Sequence, residues 1–265
     1  KKTNEVVDIE TCQVLPKHIS DVLPMVKLLL QTLTDGGAAV RFVEFFNSRA
    51  LVVLNICFIK KPSGYSLKQI EAWFDKISGG VKQVWQVWFQ YGREPSTVLY
   101  PKDLPELKYG LPEFSVEMPY QPGDFTQINA DLNAVMISRA LRLLDIQPND
   151  RVVDLFCGLG NFSLPMAKSG ASVTGIEGLD SLVLRARQNA LRNSCVKYAS
   201  FEVADLFETD EQTVASWGYS TKCCSIRPGA ALMLLSNRYI RHTCRKESYM
   251  FHVILQPLHA TRKYW

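Results

Sequence analysis

The clearest pattern along the chain is an alternation of short apolar runs with amphipathic stretches in its second half. The apolar runs predict buried strands at residues 151–156, 172–178 and 200–206. The stretches with apolar residues at helical spacing predict helices at residues 131–146, 161–170 and 181–194. Strands separated by helices of this length form right-handed βαβ units around a parallel sheet. The pattern therefore predicts an α/β domain over residues 116–211.

The first part of the chain has the pattern of a small α+β domain. Two amphipathic stretches predict helices at residues 19–35 and 66–78, the second with Ser66 as its N-cap. Strand-like runs cover residues 39–46, 51–59 and 83–91. We predict that this domain covers residues 1–115 and that the Pro-containing stretch 100–124 leads into the second domain.

The predicted strand at residues 83–91 is rich in aromatic side chains: Trp85, Trp88, Phe89 and Tyr91. One interpretation is a surface on which RNA bases stack. The other is an ordinary strand whose side chains alternate between a core face and a partly exposed face. The sequence favours the second interpretation and leaves the first open.

The composition narrows the class of protein. The 265 residues are 47% hydrophobic and 21% charged, which is typical of a folded globular protein and excludes disorder as the main state. No apolar run approaches the roughly 20 residues of a membrane-spanning helix, and no signal peptide is recognisable. The seven cysteines lack the spacing of a disulfide framework, so we predict a cytoplasmic protein, and we expect a monomer. Because the chain begins with Lys1, we expect its natural N-terminus to lie upstream.

The last fifth of the chain differs in charge from the rest. Residues 212–265 contain eight Lys/Arg and one acidic residue, a net charge of +7, whereas residues 1–211 carry −3. The alternation of strands and helices also ends near residue 211, so we expect the parallel sheet to be incomplete. Two interpretations are open: a basic tail that binds nucleic acid, or a segment read out of its native frame.

The strongest candidate for chemistry is the sequence VVDLFCGLGNFSLP at residues 152–165. A strand ends in Asp154, and a helix begins a few residues later. Gly158 and Gly160 between them permit a tight turn and a close approach of the backbone to a ligand.

Acidic residues also lie at the ends of the next two predicted strands, Glu177 and Asp205. One acid per strand, without the third glycine of a pyrophosphate-binding turn, favours S-adenosylmethionine (SAM) over NAD. In this interpretation Glu177 binds the ribose and Asp205 the adenine amino group, while Asp154 and the glycines line the methionine part. A glycine-rich turn without a ligand is the alternative.

Several motifs resemble those of the RumA/RlmD-type 23S rRNA uracil-5-methyltransferases, over about residues 5–210. They are VVDIETCQVLP, WFQYG, YGLPEFSVEMPY, QPGDFTQINADLN, DRVVDLFCGLGNFSLP, VTGIEG, RQNALRN and VADL. The resemblance implies a Rossmann-like class I methyltransferase fold, with SAM as cofactor, preceded by a small α+β domain. Position by position, it implies cofactor contacts at Gln127, Phe156, Asn161, Glu177 and Asp205. The alternative interpretation of Gln127 is a surface polar residue before a helix, and Phe156 could equally be a buried strand end.

The resemblance also bears on the substrate and on a metal cluster. Members of the family methylate 23S rRNA or tRNA, and the segment VVDIETCQVLP favours 23S rRNA. Full-length members carry a TRAM domain and three cysteines that hold a 4Fe–4S cluster with a fourth, at the position of Cys12. One thiolate cannot hold such a cluster, so we expect Cys12 to be a ligand only in a longer parent protein. We interpret Cys157 as a packing residue.

The catalytic groups of the family are not recognisable. The resemblance implies a Cys thiolate in an SCNPAT-like loop that attacks C6 of uracil, and an acid in a DPPRSGA-like loop. Neither motif is present in residues 212–265, and Cys223, Cys224 and Cys244 lie in other contexts. We therefore assign no catalytic residue and expect this polypeptide to be inactive.

Both missing motifs can be recovered in one displaced reading frame. In this frame the last base of each codon is read together with the first two bases of the next codon. Codons for GYSTKCCSIRPGAAL can then encode FDKVLLDPPRSGA. With the same offset, RKESYMFHVILQPLHA permits QRILHVSCDPAT. We therefore expect a single frameshift between about residues 207 and 218.

Two other classes of function stay open at this point. One is an intact methyltransferase of another class that holds nucleic acid with the basic tail, although no NPPY-type catalytic loop is present. The other is a nucleotide-binding module with a basic arm and no chemistry.

Overall fold

The computed structural model of the protein describes residues 8–79, 83–127, 129–218, 220–227 and 244–254. The chain divides into two compact units. The first comprises Lys1–Leu107 and Gln121–Gly123, and the second comprises Lys108–Tyr120 and Asp124–Trp265. In the described part of the chain, no helix is long and apolar enough to cross a membrane.

The first unit combines a four-stranded sheet with helices. Its helices are α1 (Lys17–Ser20), α2 (Leu23–Asp35) and α3 (Gly64–Ser78). Its strands are β1 (Val40–Asn47), β2 (Val52–Phe58), β3 (Trp85–Tyr91) and β4 (Thr97–Tyr100). The strand order is β1-β2-β3-β4, with β2 and β3 parallel and the two outer pairs antiparallel. The prediction of a small α+β domain is confirmed.

One face of this sheet packs against the two longer helices. Leu54 and Ile56 of β2 and Val87 of β3 are fully buried in one apolar cluster with Leu33 of α2 and Ile70 of α3. Because side chains alternate along a strand, every second residue of β2 and β3 reaches this core. The burial of these side chains is the main stabilising contribution to the unit.

The aromatic residues of β3 follow the same alternation. Trp85, Phe89 and Tyr91 belong to the apolar cluster between the sheet and the helices. The indole N–H of Trp88 instead donates a hydrogen bond of 2.7 Å to Gln86 Oε1. The interpretation as an ordinary strand is confirmed, because Trp85 is buried in the core and Phe89 and Tyr91 are half-buried against it instead of forming a stacking surface.

Two predicted helix boundaries differ from the structure. The helix predicted over residues 19–35 is interrupted by a turn, and α2 starts at Leu23 with Pro24 in its first turn, where a missing backbone N–H costs little. Helix α3 starts at Gly64, so its N-cap is Ser63 and not Ser66. The Ser63 hydroxyl accepts a hydrogen bond of 3.1 Å from the Ser66 backbone N–H.

The second unit is built around a parallel sheet. Strands β5 (Lys108–Leu111) and β6 (Val116–Pro119) form an antiparallel hairpin. The helices are α4 (Ala130–Leu144), α5 (Ser163–Lys168), α6 (Asp180–Arg192) and α7 (Glu211–Ser216). The sheet contains β7 (Arg151–Leu155), β8 (Ser172–Glu177), β9 (Ala199–Val203), β10 (Ser220–Arg227) and β11 (Cys244–Ile254). Its order is β11-β10-β7-β8-β9, and all neighbours are parallel. This is a doubly wound order, in which β7 lies in the middle.

The described part of the sheet has five strands, two more than the pattern of apolar runs predicts. Strand β10 pairs with β7, and β11 pairs with β10, although both lie in the segment 212–265. Cys223 and Cys224 are 1% and 0% exposed, and buried cysteine behaves as a small apolar residue. These two side chains allow β10 to occupy an interior position of the sheet without the branched apolar run typical of a buried strand.

Polar contacts hold the start of β10 in place. Lys222 Nζ forms an ion pair of 2.7 Å with Asp150 Oδ2 and also donates to the Asp145 backbone carbonyl. The Thr221 hydroxyl donates to Asp150 Oδ1 at 3.0 Å. Burial raises the pKa of Asp150, but the hydrogen bonds from Lys222, Gln147 and Thr221 outweigh it and keep the pKa below its ordinary value. With the two side chains of the ion pair only 9% and 14% exposed, the pair is largely withdrawn from water.

The substitution Lys222→Met keeps the side-chain length but leaves Asp150 charged without its cation. Breaking a buried ion pair costs about 3 kcal/mol, so we expect the free energy of unfolding in urea at pH 7 to fall by about this amount. The folded-state pKa of Asp150 lies below its ordinary 3.8. The stabilisation is therefore fully present above that pH and is lost as the pH falls through the folded-state value. A loss no larger than that of the exposed control Lys102→Met would contradict the packing of β10.

Candidate functional site

Three acidic residues lie at the carboxyl ends of neighbouring parallel strands. Asp154 is the penultimate residue of β7, Glu177 is the last residue of β8, and Asp205 lies two residues after β9. In open α/β sheets, ligands bind in the crevice outside these strand ends. The structure therefore brings the three acids to one edge of the sheet.

The turn between β7 and α5 has an unusual backbone. Phe156, Gly158 and Gly160 have φ angles of +61°, +56° and +97°. A Cβ atom at Gly160 would lie 3.2 Å from Leu164 Cγ, whereas a Cβ atom at Gly158 would meet no atom within 4 Å. Gly160 therefore allows α5 to pack against the turn, and the backbone at Gly158 borders open space that a ligand can enter.

Asp154 is buried and connects β7 to α5. Its carboxyl group is 2% exposed and accepts a hydrogen bond of 2.6 Å from the Ser163 hydroxyl at the start of α5. Burial raises the pKa of Asp154 to about 7; the Ser163 hydrogen bonds lower it, and the negative charge of Glu177 raises it. Asp154 therefore supports the turn from the inside and takes up a proton near neutral pH.

Glu177 joins the turn after β7 to the turn after β8. Its Oε2 accepts a hydrogen bond of 3.1 Å from the Gly158 backbone N–H. Its Oε1 accepts hydrogen bonds of 2.8 Å and 3.3 Å from the backbone N–H groups of Gly178 and Leu179. Three backbone donors thus fix the orientation of one half-buried carboxylate at the sheet edge.

The loop after β9 contacts the same turn through two aromatic rings. The Phe156 and Phe207 rings pack edge to face with their centroids 6.1 Å apart. Asp205 is exposed, and its Oδ1 accepts a hydrogen bond of 2.9 Å from the Phe207 backbone N–H. Phe156 is half-buried, so it is neither a fully buried strand end nor a freely exposed ring.

Gln127 lies on the loop that leads into α4 and is half-buried. Asp124 anchors this loop through an ion pair of 3.1 Å with Arg185 of α6, and the two side chains are 11% and 20% exposed. No hydrogen bond among the described residues joins Gln127 to the three acids. Its predicted cofactor contact therefore rests on the resemblance alone.

Asn161, in the last part of the turn, is held by two residues that sequence reasoning did not single out. Its Oδ1 accepts hydrogen bonds from the Tyr109 hydroxyl at 2.8 Å and from Asn133 Nδ2 at 3.0 Å. Its Nδ2 donates to Asn133 Oδ1 at 2.9 Å. Side chains from β5 and α4 thus meet at the glycine-rich turn.

Two further residues missed by sequence reasoning are Asn189 on α6 and Asn193 at its C-cap. Asn189 Nδ2 donates to the Leu159 carbonyl at 3.1 Å and to the Pro119 carbonyl at 3.4 Å. Asn193 donates to the Glu117 carbonyl at 2.7 Å and accepts from the Glu117 N–H at 2.9 Å. Both are at most 7% exposed. The available signal was the spacing of four residues in RQNALRN, which places two polar side chains on one helix face.

The described residues do not fit an iron–sulfur cluster. Cys12 is half-buried, and its backbone N–H donates to Ser20 Oγ at 2.9 Å. No group of three or more His, Cys, Asp or Glu able to hold a metal ion occurs among the described residues. Cys157 is 4% exposed, and burial raises its pKa well above the ordinary value, so it packs as a neutral thiol, as predicted.

Comparison with known proteins identifies the lineage. Residues 113–204 match the tRNA (Uracil-5-)-methyltransferase family. The 23S rRNA (uracil(1939)-C(5))-methyltransferase RlmD of Neisseria lactamica is 53% identical over 218 residues, which are 82% of this chain and 47% of the relative. The RlmD of Chromobacterium violaceum is 39% identical over 219 residues, 82% of this chain and 42% of the relative. The chain belongs to the RumA/RlmD-type family of RNA uracil-5-methyltransferases.

The family fold is also found in a solved structure. The Pyrococcus abyssi tRNA (uracil-54, C5)-methyltransferase, in complex with S-adenosyl-L-homocysteine, is similar with a TM-score of 0.62 and 17% sequence identity. The similarity covers 90% of this chain and 57% of that one. The predicted Rossmann-like methyltransferase fold is therefore confirmed. The chain spans about half the length of the two curated relatives described above.

The substitution Asp154→Asn keeps the shape of the side chain and removes its titration. The folded-state pKa of about 7 lies above the ordinary 3.8, so between these values the folded protein holds a proton that the unfolded chain releases. The stability of the wild type is therefore expected to fall as the pH rises from 3.8 towards 7.

The Asp154→Asn variant should lack this decrease in urea unfolding curves measured across the same pH range. Asp180→Asn, at the exposed start of α6, is the control and should keep the wild-type decrease. Parallel pH dependence in the wild type and Asp154→Asn would contradict the raised pKa.

Proposed function

We propose that the second unit binds SAM at the carboxyl edge of its parallel sheet. The observation that carries this proposal is the 3.1 Å hydrogen bond from the Gly158 N–H to Glu177, beside the open space at Gly158. An acid at the end of the second strand is typical of ribose recognition in such folds. The crystallised relative from Pyrococcus abyssi supports the proposal, because it contains S-adenosyl-L-homocysteine.

Each predicted residue has a part in this proposal. A carboxylate has about four acceptor positions, so Glu177 keeps room for a ribose hydroxyl beside its three backbone bonds. Asp205 binds the adenine amino group from its exposed position. The methionine part lies along the glycine-rich turn, and the residues proposed to shape or contact it are Asp154, Phe156, Gly158, Gly160, Asn161 and Gln127. When bound, SAM supplies an electrophilic methyl group.

We propose 23S rRNA as the substrate of the longer parent enzyme. The relatives with 53% and 39% identity are both named for methylation of a uracil in 23S rRNA. A tRNA substrate is the alternative, because the matched family and the crystallised relative are named for tRNA. The proposal includes a cytoplasmic monomer, and a 4Fe–4S cluster with Cys12 as one ligand in the parent protein only.

The polypeptide is proposed to lack the nucleophile of the reaction. Methylation of uracil at C5 needs a thiolate that attacks C6. Cys224 is fully buried; burial and the neighbouring Asp154 carboxyl raise its pKa well above the ordinary value. Cys223 is 1% exposed. Neither thiol is accessible to an RNA base, and neither of the family's catalytic loops occurs in the sequence.

The substitution Glu177→Gln tests the cofactor site. A hydrogen bond to a charged group contributes about 1.5–3 kcal/mol, so we expect SAM to bind at least about tenfold more weakly in isothermal titration calorimetry. The matched control is Glu202→Gln, an exposed acid on β9, which should bind SAM like the wild type. Equal affinity of both variants, or a wild type that does not bind SAM, would refute the proposed site.

The proposed absence of a nucleophile predicts no methyl transfer by the 265-residue chain. The measurement is incorporation of tritium from labelled SAM into a uracil-containing 23S rRNA fragment, and incorporation above a no-protein control would contradict it.

The coding DNA tests the frameshift, which we propose as the cause of the missing nucleophile. A displaced frame that reads DPPRSGA and SCDPAT supports it, and a displaced frame without these motifs rules it out.

A further inference from the structure

The side chains of Tyr109, Asn133 and Asn161 form a hydrogen-bond network at the glycine-rich turn. Asn161 Oδ1 accepts from Tyr109 at 2.8 Å and from Asn133 at 3.0 Å, and Asn161 Nδ2 returns a bond of 2.9 Å to Asn133. The two amides therefore bind each other reciprocally. This pairing fixes the orientation of the two amides relative to each other, and the Tyr109 hydroxyl donates to the oxygen end of Asn161.

The network leaves one polar group of Asn161 unused. An amide oxygen has two acceptor positions and an amide nitrogen has two hydrogens. Both acceptor positions of Asn161 and one of its hydrogens are occupied by Tyr109 and Asn133. Asn133 is 3% exposed, whereas Asn161 is half-buried. The second amide hydrogen of Asn161 is therefore the group through which this network can reach a ligand.

The turn that carries Asn161 depends on support from outside its own sequence. Its non-glycine residue Phe156 has a φ of +61°. A side-chain-bearing residue in this region is strained and persists only where the surroundings hold it. Support comes from β5 through Tyr109, from α4 through Asn133, and from α6 through Asn189, which binds the Leu159 carbonyl.

Tyr109 is suited to a permanent donor role. Burial raises the pKa of its hydroxyl, and the neighbouring Tyr120 adds to this, so the phenol stays protonated over the whole working range of pH. Its hairpin is fixed independently of the network, because Asn193 binds both backbone polar groups of Glu117 on β6. Loss of the Tyr109 hydroxyl therefore removes one bond to the turn and leaves the hairpin attached.

We propose that Tyr109 and Asn133 are positioning residues that act on the cofactor through Asn161, by fixing its amide so that the unused N–H is offered to SAM. The proposal rests on the SAM site proposed above. In this proposal the β5–β6 hairpin and α4 contribute to cofactor affinity through Asn161, without a contact of their own with the cofactor.

The test is a double-mutant cycle on SAM affinity, measured by isothermal titration calorimetry with melting temperatures alongside. One neutral hydrogen bond corresponds to about a fivefold change in affinity, so Tyr109→Phe and Asn133→Ala should each weaken SAM binding by about this factor. The matched control is Tyr198→Phe, a partly exposed tyrosine of the same unit, which should bind SAM like the wild type.

The decisive comparison uses the background Asn161→Ala. If Tyr109 and Asn133 act through Asn161, adding Tyr109→Phe or Asn133→Ala to this background causes no further loss of affinity. Losses that multiply would overturn the proposal, because they show that the residues act independently of Asn161. If Asn161→Ala does not fold, the isosteric Asn161→Asp replaces it, since it keeps both acceptors and removes the donor.

Failure of this proposal can be told apart from failure of the SAM site. If the wild type binds SAM and Glu177→Gln weakens it, but Tyr109→Phe behaves like Tyr198→Phe, only the positioning role is overturned. If the wild type does not bind SAM, both proposals are overturned together.

Discussion

The hydrogen bond from the Gly158 amide to the Glu177 carboxylate joins the ends of two neighbouring parallel strands, and the geometry of the site depends on it. The amide belongs to a turn with three positive φ angles, one of them at the non-glycine residue Phe156, where this conformation needs support from the surroundings. That support comes from polar side chains on β5, β7, α4 and α6. Asp154 accepts a hydrogen bond from Ser163, and Asn189 donates one to the Leu159 carbonyl. Asn133 and Tyr109 both bind the side chain of Asn161.

The polar character of this support has a physical reason. Apolar side chains of the same size would fill the space around the turn, but dispersion contacts have little directional preference. Hydrogen bonds fix both a distance and an orientation, at the cost of desolvating each polar group. Asp154, Asn133 and Asn189 are at most 3% exposed, and each has hydrogen-bonding partners. The site thus has a fixed geometry because its buried polar groups are satisfied.

The central strands and their acids could be predicted from the sequence, because β7, β8 and β9 are short apolar runs separated by amphipathic helices. Strand β10 could not be predicted, because its interior position depends on two cysteines and on an ion pair with Asp150. Neither feature produces a periodic pattern of hydrophobic residues in the sequence. The partners of Asn161 could not be predicted either. Asn133 and Tyr109 are 28 and 52 residues away along the chain, and only the fold brings them together.

The three backbone donors around Glu177 have a consequence for the kind of ligand that this edge accepts. Backbone N–H groups at the start of a βα connection are the usual binding site for a phosphate or another anion. Here the amides of Gly158, Gly178 and Leu179 already hold an anion that the chain itself provides. These three donors are therefore occupied before any ligand binds. What these residues present to a ligand is therefore the acceptor capacity of a carboxylate instead of the donor capacity of free amides.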